Sequence, residues 1–569
     1  MKKRQINIVV AQTLEELKFI LLSTRKDIIC LPLNLEILVY CDLNHIAYLD
    51  LLEFNKKNFH ENALLLSEKL IKNLKYGDIK NQSQKEIFRS LIRFKFFSIY
   101  FLLETFKEIE KKYTVDQIFL SGWNNYEKQY SYKNYFLSYL FKNLFENKKL
   151  VFIENFREKE HIISKPYEYK IVNDLKHEER EKILLNNIGY NFLRIALFFK
   201  FKTKFGTIIP IEKKDHNLSI LKKIFFKILG IDFIVMEKKE TKLKNFNVPD
   251  INFSLNGQKI SQVMNYFKRQ EIGNHYSLLL QHKVIDKIFD KKNIRFVFVN
   301  FCRGLSGYMI EKGIKSKTKC ICVPHGTISK FFSKFDKIYK KVISDTLIFN
   351  SKKIYVIAQS KISFQFKKAF KFKNKFFNFG NVIFSSPTLN IFNIRKNIFY
   401  AVTIKDFKNL QFYGVEMFYE YYDNLKLLNN LAKNYNLSII VKPHPTEFKS
   451  IEMLKKKFTN LKFTKGRISK ILSSCFATIS YSSTIIEDSL NSNVPVILFD
   501  KWKRYKHCES ETNQDKKNSA IYYVNNEKDL ISCINTVKAS KKILINKYVK
   551  KPKTFGYFNS LKLILKYCR

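Results

Sequence analysis

Four short apolar runs in the last third of the chain, Ile398–Val402, Leu437–Val441, Ala477–Ser480 and Pro495–Phe499, limit its fold more than any other feature. Each has the length of a strand buried on both faces. The chain between them is long enough for helices, and Glu416–Lys433 and Thr484–Leu490 carry that pattern. Apolar strands alternating with helices form parallel sheets with crossover connections. The rhythm is present earlier as well. Ile6–Val10, Asp27–Leu31, Asp116–Leu120 and Leu150–Ile153 read as strands, as do Arg295–Val299, Lys319–Val323 and Lys353–Ala358. Glu36–Tyr40 reads as one more. Thr13 and Glu16 form a capping-box pattern that opens a helix, and residues 60–113 read as a long helical region.

A chain of 569 residues is too long for one core. The expected class is α/β, with two Rossmann-type parallel-sheet domains facing across a cleft. An N-terminal domain spans 1–385, with a helical insertion or acceptor-facing subdomain over about 160–285. A hinge falls near Ser385-Ser386-Pro387, and a C-terminal domain spans 386–545. Residues 546–569, with a helix near 558–566, return toward the first domain.

Apolar residues make up 46% of the chain, with only 15 Gly and 10 Pro, which excludes fibrous and disordered classes. The 102 Lys and Arg against 51 Asp and Glu give a net charge of +51. Lysine is abundant together with Asn, Ile, Phe and Tyr, the composition of an AT-rich genome. The basic residues spread along the whole length, which disfavours a specific nucleic-acid partner and leaves a weak, salt-sensitive attraction to an anionic membrane surface. The nine cysteines form no CxxC pair and are expected as buried free thiols. The run Ile6–Ala11 is broken at once by Gln12, Glu15 and Glu16, so neither a signal peptide nor a spanning helix is expected. Together these features imply a cytoplasmic protein, peripheral on the inner face of the membrane.

Ligands of open α/β sheets bind beyond the carboxyl ends of the strands, and three polar clusters fall there. Lys442-Pro443-His444-Pro445 follows one strand. Its prolines stiffen the backbone, so His444 and Lys442 can meet a phosphate oxygen at the sheet edge. Tyr481-Ser482-Ser483-Thr484 follows another, and Thr484 with Glu487 forms a capping-box pattern. Ser482 and Ser483 then precede a helix N-terminus, a setting that suits phosphate. Val323-Pro324-His325-Gly326-Thr327 follows a third, where Gly326 permits a tight turn and His325 supplies an imidazole, the side-chain type suited to acid–base work near neutral pH. Each cluster by itself also reads as an ordinary turn or cap. The loop Arg303-Gly304-Leu305-Ser306-Gly307 is a weaker candidate for approach to a ligand.

Lys442–Pro445 and Ser482-Ser483-Thr484, in that order on one sheet, resemble the HP and S motifs of GT-B enzymes that build bacterial surface polysaccharides. These are capsule Kdo-transferases, bacterial sialyltransferases and CDP-glycerol glycerophosphotransferases. The stretch from Glu487 to Asp500 resembles the shared continuation of those motifs, and the close likeness covers about 395–505. His325-Gly326-Thr327 resembles the His-Gly-Thr element of the capsule and glycerophosphotransferase enzymes.

The resemblance implies a glycosyltransferase without cofactor or metal. Lys442, His444, Pro445, Ser482, Ser483 and Thr484 would hold the donor nucleotide phosphate, and His325 would face the reaction centre. Gly326, Thr327 and Glu487 are secondary candidates. The implied donor is a CMP-linked ulosonic acid such as Kdo or sialic acid, and the acceptor is a glycan or lipid-linked glycan of capsule or lipopolysaccharide. Glycerophosphate transfer from CDP-glycerol reads the same motifs. The acidic-acidic-glycine base motif of the sialyltransferases is absent, which leaves Asp42, Glu36 and Glu154 as alternative acids. No Asp-x-Asp metal motif occurs. Two further classes remain: a basic nucleic-acid-binding protein, and a catalytically inactive scaffold in polysaccharide assembly.

Overall fold

The computed structural model describes residues 3–11, 13–24, 26–55, 59–120, 135–145, 147–153, 165–171, 182–186, 206–212, 231–255, 260–291, 293–324, 329–358, 360–378, 395–404, 417–540, 543–549 and 566. Three sheets organise them. The first holds β1 (Arg4–Ala11), β2 (Ile29–Pro32), β3 (Tyr113–Leu120) and β4 (Lys149–Phe152), all parallel, in the order β2-β1-β3-β4.

The second sheet is the largest. Its strands are β5 (Tyr167–Ile171), β6 (Lys182–Asn186), β7 (Gly206–Glu212), β8 (Ile231–Glu240), β9 (Ile294–Val299), β10 (Lys319–Cys322), β11 (Ile354–Ile357) and β12 (Lys375–Phe377). Their order is β12-β11-β10-β9-β6-β7-β8-β5, and only the edge strand β5 is antiparallel. Counted from β6, the parallel strands follow a 3-2-1-4-5-6-7 order. The third sheet holds β13 (Asn397–Tyr400), β14 (Ser438–Val441), β15 (Leu461–Phe463), β16 (Cys475–Ser480), β17 (Val496–Phe499) and β18 (Ile521–Val524). Its order, β15-β14-β13-β16-β17-β18, is the doubly wound 3-2-1-4-5-6. The chain is thus α/β with two Rossmann-type sheets, the GT-B arrangement, preceded by a smaller parallel sheet.

Several expectations need correction. Residues 160–285 do not form a helical insertion in their described parts. They supply β5 to β8 and then the helix Ile260–Lys291. Lysine-rich flanks hide these short runs, and Pro210 inside β7 argues against a strand on sequence grounds. Glu36–Tyr40 lies within the helix Leu35–Leu43, because the Asn34 side chain accepts from the Ile37 N–H at 3.0 Å and caps a helix there. The helical region 60–113 is two helices, Phe59–Lys72 and Gln82–Lys112. The capping box at Thr13 and Glu16 forms, with both reciprocal bonds in place. The 385–387 hinge and the 558–566 helix fall outside the described residues, apart from Lys566.

The units are joined by specific contacts. The helix Phe418–Asn434 meets the first unit, where the Tyr422 hydroxyl donates to Asp42 and Phe101 stacks on Tyr419 at 6.3 Å. The second and third units meet where Tyr339 packs edge-on against Tyr505 at 5.6 Å. Beside that contact the buried Lys340 ammonium donates to the carbonyl of Lys506 at 2.9 Å and to Asp336 at 2.9 Å. Eight cysteines are described, all free and buried.

Candidate functional site

Strand register brings the two phosphate-motif candidates to one edge. Tyr400, the last residue of β13, is aligned with Val441 of β14 on one side and with Ile479 of β16 on the other. Lys442 and Ser480 therefore leave the sheet at the same level, flanking Ala401. Strands two places apart lie roughly 10 Å from one another. The ladder is closed by Lys442 N–H to Tyr400 O at 3.1 Å, and by Ser480 Oγ to Ala401 O at 2.8 Å. This edge is the topological switch point of the sheet, where strands 1 and 4 lead their chains to opposite faces.

On the β14 side, Pro443 is buried, His444 is half-buried and Pro445 is exposed. Pro445 opens the 3-10 helix Pro445–Ser450, a position where its missing N–H costs nothing. The Lys442 ammonium reaches Lys465 O at 3.3 Å and lies 5.3 Å from the ring centre of Phe448. Partial burial lowers its pKa.

On the β16 side, Ser482 and Ser483 are half-buried and Thr484 is exposed. The expected Thr484–Glu487 capping box does not form. Thr484 is already helical at φ −61°, and the Ser483 hydroxyl takes the capping role by accepting from Ile485 N–H at 3.4 Å. The helix Ile485–Asn491 is short, so its dipole is weak, and a phosphate would lean on hydroxyls, backbone N–H groups and nearby cations instead. Glu487 turns inward and is fully buried. Its oxygens accept no hydrogen bond among the described residues, and the nearest basic nitrogen is His507 Nε2 at 3.9 Å.

A small hollow, open to solvent, lies at this edge, lined among others by Tyr400, Ser480, Tyr481, Asp500 and Trp502. It also borders the first turn of helix Phe418–Asn434, the helix that follows strand 1 and whose N-terminus is the usual phosphate seat of such sheets. Here that seat is filled by the protein's own charge. Glu420 accepts from Met417 N–H at 3.2 Å and pairs with Arg504 through two bonds of 2.8 and 2.6 Å. Burial would lower the Arg504 pKa, but the Glu420 carboxylate beside it carries it above the usual guanidinium value. Asp500 is also buried, which raises its pKa. It accepts from Tyr505 N–H at 3.0 Å and from the Tyr523 hydroxyl at 2.9 Å.

Sequence reasoning missed Glu420, Arg504, Tyr400 and Trp502. Glu420 had a legible signal as an acid in a helix's first turn. Arg504 stands in an irregular segment with no pattern.

His325, Gly326 and Thr327 lie outside the described residues, as does Glu154. The flanks of the His-Gly-Thr element are described. Val323 N–H donates to Val299 O at 2.8 Å, and the Ser329 hydroxyl donates to the carbonyl of His507 in the third unit. Of the alternative acids, Asp42 is bound to Lys457 at 2.6 Å and to Tyr422, and Glu36 sits on the same helix. The Arg303–Gly307 loop is the start of helix Gly304–Lys315. A Cβ on Gly307 would stand 2.7 Å from both Cys302 O and Ser83 Cβ, so that glycine serves helix packing.

Residues 413–515 match the model of the LIC12162 family transferase. No curated protein matches the chain. Among solved structures, the chain is similar to UDP-GlcNAc 2-epimerase from Methanocaldococcus jannaschii. Identity is 16%, the likeness covers 68% of this chain and 99% of that one, and the TM-score is 0.38. The Neisseria meningitidis UDP-GlcNAc 2-epimerase bound to UDP-GlcNAc gives 11% identity, 68% and 99% coverage and a TM-score of 0.36. A variant of the wall teichoic acid polymerase TagF gives 13% identity, 69% and 89% coverage and a TM-score of 0.34. The two-sheet assignment rests on strand order and register, and the one segment that matches a family model is the segment that carries the Lys442 and Ser482 motifs.

Proposed function

We propose that the chain is a GT-B glycosyltransferase that moves a sugar from a CMP-linked donor, best a ulosonic acid such as Kdo or sialic acid, to a growing surface glycan or lipid-linked glycan. The observation that carries this reading is the level exit of Lys442 and Ser480 on either side of Ala401, beside a pocket at the switch point. The match of residues 413–515 to a transferase model supports it. The donor side is the unit over 386–545, and the acceptor side is 1–385.

As the anomeric carbon–oxygen bond breaks, negative charge gathers on the departing nucleotide phosphate. Lys442, His444, Ser482 and Ser483 stabilise it, framed by Pro445 and Thr484, with no metal required. His325, on the turn with Gly326 and Thr327, takes the acceptor proton. Glu487, buried beneath the Ser-Ser-Thr turn, acts on the donor only through the position of that turn. The protein works in the cytoplasm at the inner face of the membrane. No described helix is long and apolar enough to cross a membrane.

A thermal-shift screen with CMP, CDP, UDP and GDP, with and without magnesium, tests the reading. Selective stabilisation by cytidine nucleotides without metal is the expected result. Equal shifts with all four, or none without magnesium, overturn it. Turnover of CDP-glycerol in place of CMP-sugars moves the activity to glycerophosphate transfer.

A further inference from the structure

The excess cations are not evenly placed on the folded chain. No Asp or Glu occurs between Asp345 and Asp406, while lysine recurs through that stretch. Its described part up to Asn378 forms one border of the large sheet: β11, the helix Ile362–Ala369 and the edge strand β12. The helix buries Ile362 and Phe366 and leaves Phe364 38% exposed. Lys361, Lys368, Lys371, Lys373 and Lys375 are all exposed beside it.

This border continues onto the third unit. Lys361 donates from its backbone N–H to Tyr548 O at 2.8 Å and from its ammonium to Asn546 O at 2.6 Å. Two residues before Asn546, Leu544 is 60% exposed. In the other direction Gln365 donates to Glu509 at 3.1 Å, and Glu509 pairs with Lys330. The ammoniums of Lys330 and Lys506 lie 5.5 and 5.2 Å from the ring centre of Phe332, which is 36% exposed. Phe332, Phe364 and Leu544 are three of the five exposed large apolar side chains among the described residues, and these bonds link the segments that carry them. The acids nearest to it are engaged: Glu509 with Lys330, Asp336 with Lys340, and Asp345 with Lys341.

We propose that this seam is a docking surface for an anionic lipid bilayer. Scattered apolar side chains are ordinary on a protein surface, but apolar tips beside a run of exposed lysines with no acid among them in the sequence from 346 to 405 match the two layers of a membrane interface. The tips reach the acyl boundary, and the lysines meet phosphate headgroups. A single-stranded nucleic acid needs open aromatic faces for stacking. Leu544 offers none, and Lys330, Lys340 and Lys506 lie over Phe332. Because the seam draws on the second and third units together, docking holds their relative orientation at the membrane. The inference rests on the membrane partner in the proposed function and is independent of the donor.

The test is flotation of the full chain with phosphatidylcholine vesicles, with and without roughly one third phosphatidylglycerol. Wild type should bind only the anionic vesicles and release as salt rises. Lys368→Glu/Lys371→Glu should bind roughly 30-fold or more weakly, from about 1 kcal/mol per lysine lost. Phe364→Ser/Leu544→Ser should weaken binding at high salt most. Lys239→Glu/Lys244→Glu makes the same charge change near the opposite edge of the sheet and should change binding less than roughly threefold. Melting curves and the CMP shift on the same preparations report folding and the donor site separately. If wild type binds neither vesicle, the membrane partner itself fails. If wild type binds while the seam variants match the control, the docking surface is wrong. Tighter binding to a single-stranded oligonucleotide, lost in the Lys368/Lys371 variant, assigns the seam to nucleic acid and also overturns the proposal.

Discussion

Arg504 and Glu420 face each other through two hydrogen bonds of 2.8 and 2.6 Å, with side chains 7% and 8% exposed, and tie the segment after β17 to the helix after β13. Breaking a buried pair leaves one charge uncompensated. Arg504→Met should therefore cost about 3–5 kcal/mol of stability. Adding Glu420→Gln should recover much of that loss. Urea unfolding of the single and double variants checks both, and equal stability of Arg504→Met and wild type would sink the claim.

Lys340 is buried against Asp336, and burial holds its pKa down to about 8 despite that partner. A lysine whose folded pKa lies below its unfolded value of about 10.4 destabilises the fold while charged. The unfolded state binds more protons between those two values, so stability should rise with pH across that window. The gain is at most about 3 kcal/mol, set against the same curve for Lys340→Met, which lacks it. Urea unfolding at both ends of the window measures the difference. Lys340→Met should also lower stability near neutrality by leaving Asp336 alone, and Lys340→Met/Asp336→Leu should restore it.

His444 and His325 should separate by what they disturb. If His444 clamps the donor phosphate as proposed, His444→Ala should weaken CMP binding roughly ten- to a hundredfold. Ser482→Ala and Ser483→Ala should follow in milder form. His325→Ala should leave CMP binding nearly intact and lower turnover about a hundredfold or more. Nucleotide titration and a donor-consumption assay on the same preparations decide. Loss of binding in a folded His325→Ala protein, with His444→Ala unchanged, would place the donor elsewhere.

Glu487 is buried with neither oxygen hydrogen-bonded among the described residues. Burying a carboxyl group with no hydrogen-bond donor costs stability, so Glu487→Gln should unfold at higher urea than wild type, by about 1–2 kcal/mol. The same change should shrink the thermal shift with CMP. A variant that is both more stable and as responsive to CMP would remove Glu487 from the site.

Gly307 lets the helix Gly304–Lys315 approach Gln82–Lys112, since a Cβ there would meet Cys302 O and Ser83 Cβ at 2.7 Å. Gly307→Ala should cost about 1–3 kcal/mol by overpacking. It should leave the CMP affinity of the folded protein unchanged.

The sequence by itself determined the strands whose burial is total, because a run such as Pro495–Phe499 between helical patterns has no other stable use. It also determined that Lys442–Pro445 and Tyr481–Thr484 stand at strand ends, and that Thr13 caps a helix. Register, pairing order and side-chain direction were decided by tertiary structure. Only the alignment of Tyr400 with both Val441 and Ile479 brings Lys442 level with Ser480. Only packing turned Glu487 inward, paired Glu420 in the first turn after β13 with Arg504, and recruited β6, β7 and β8 into the large sheet in spite of Pro210 and lysine-rich flanks. These outcomes depend on partners far away in the chain, and local pattern carries no record of a distant partner.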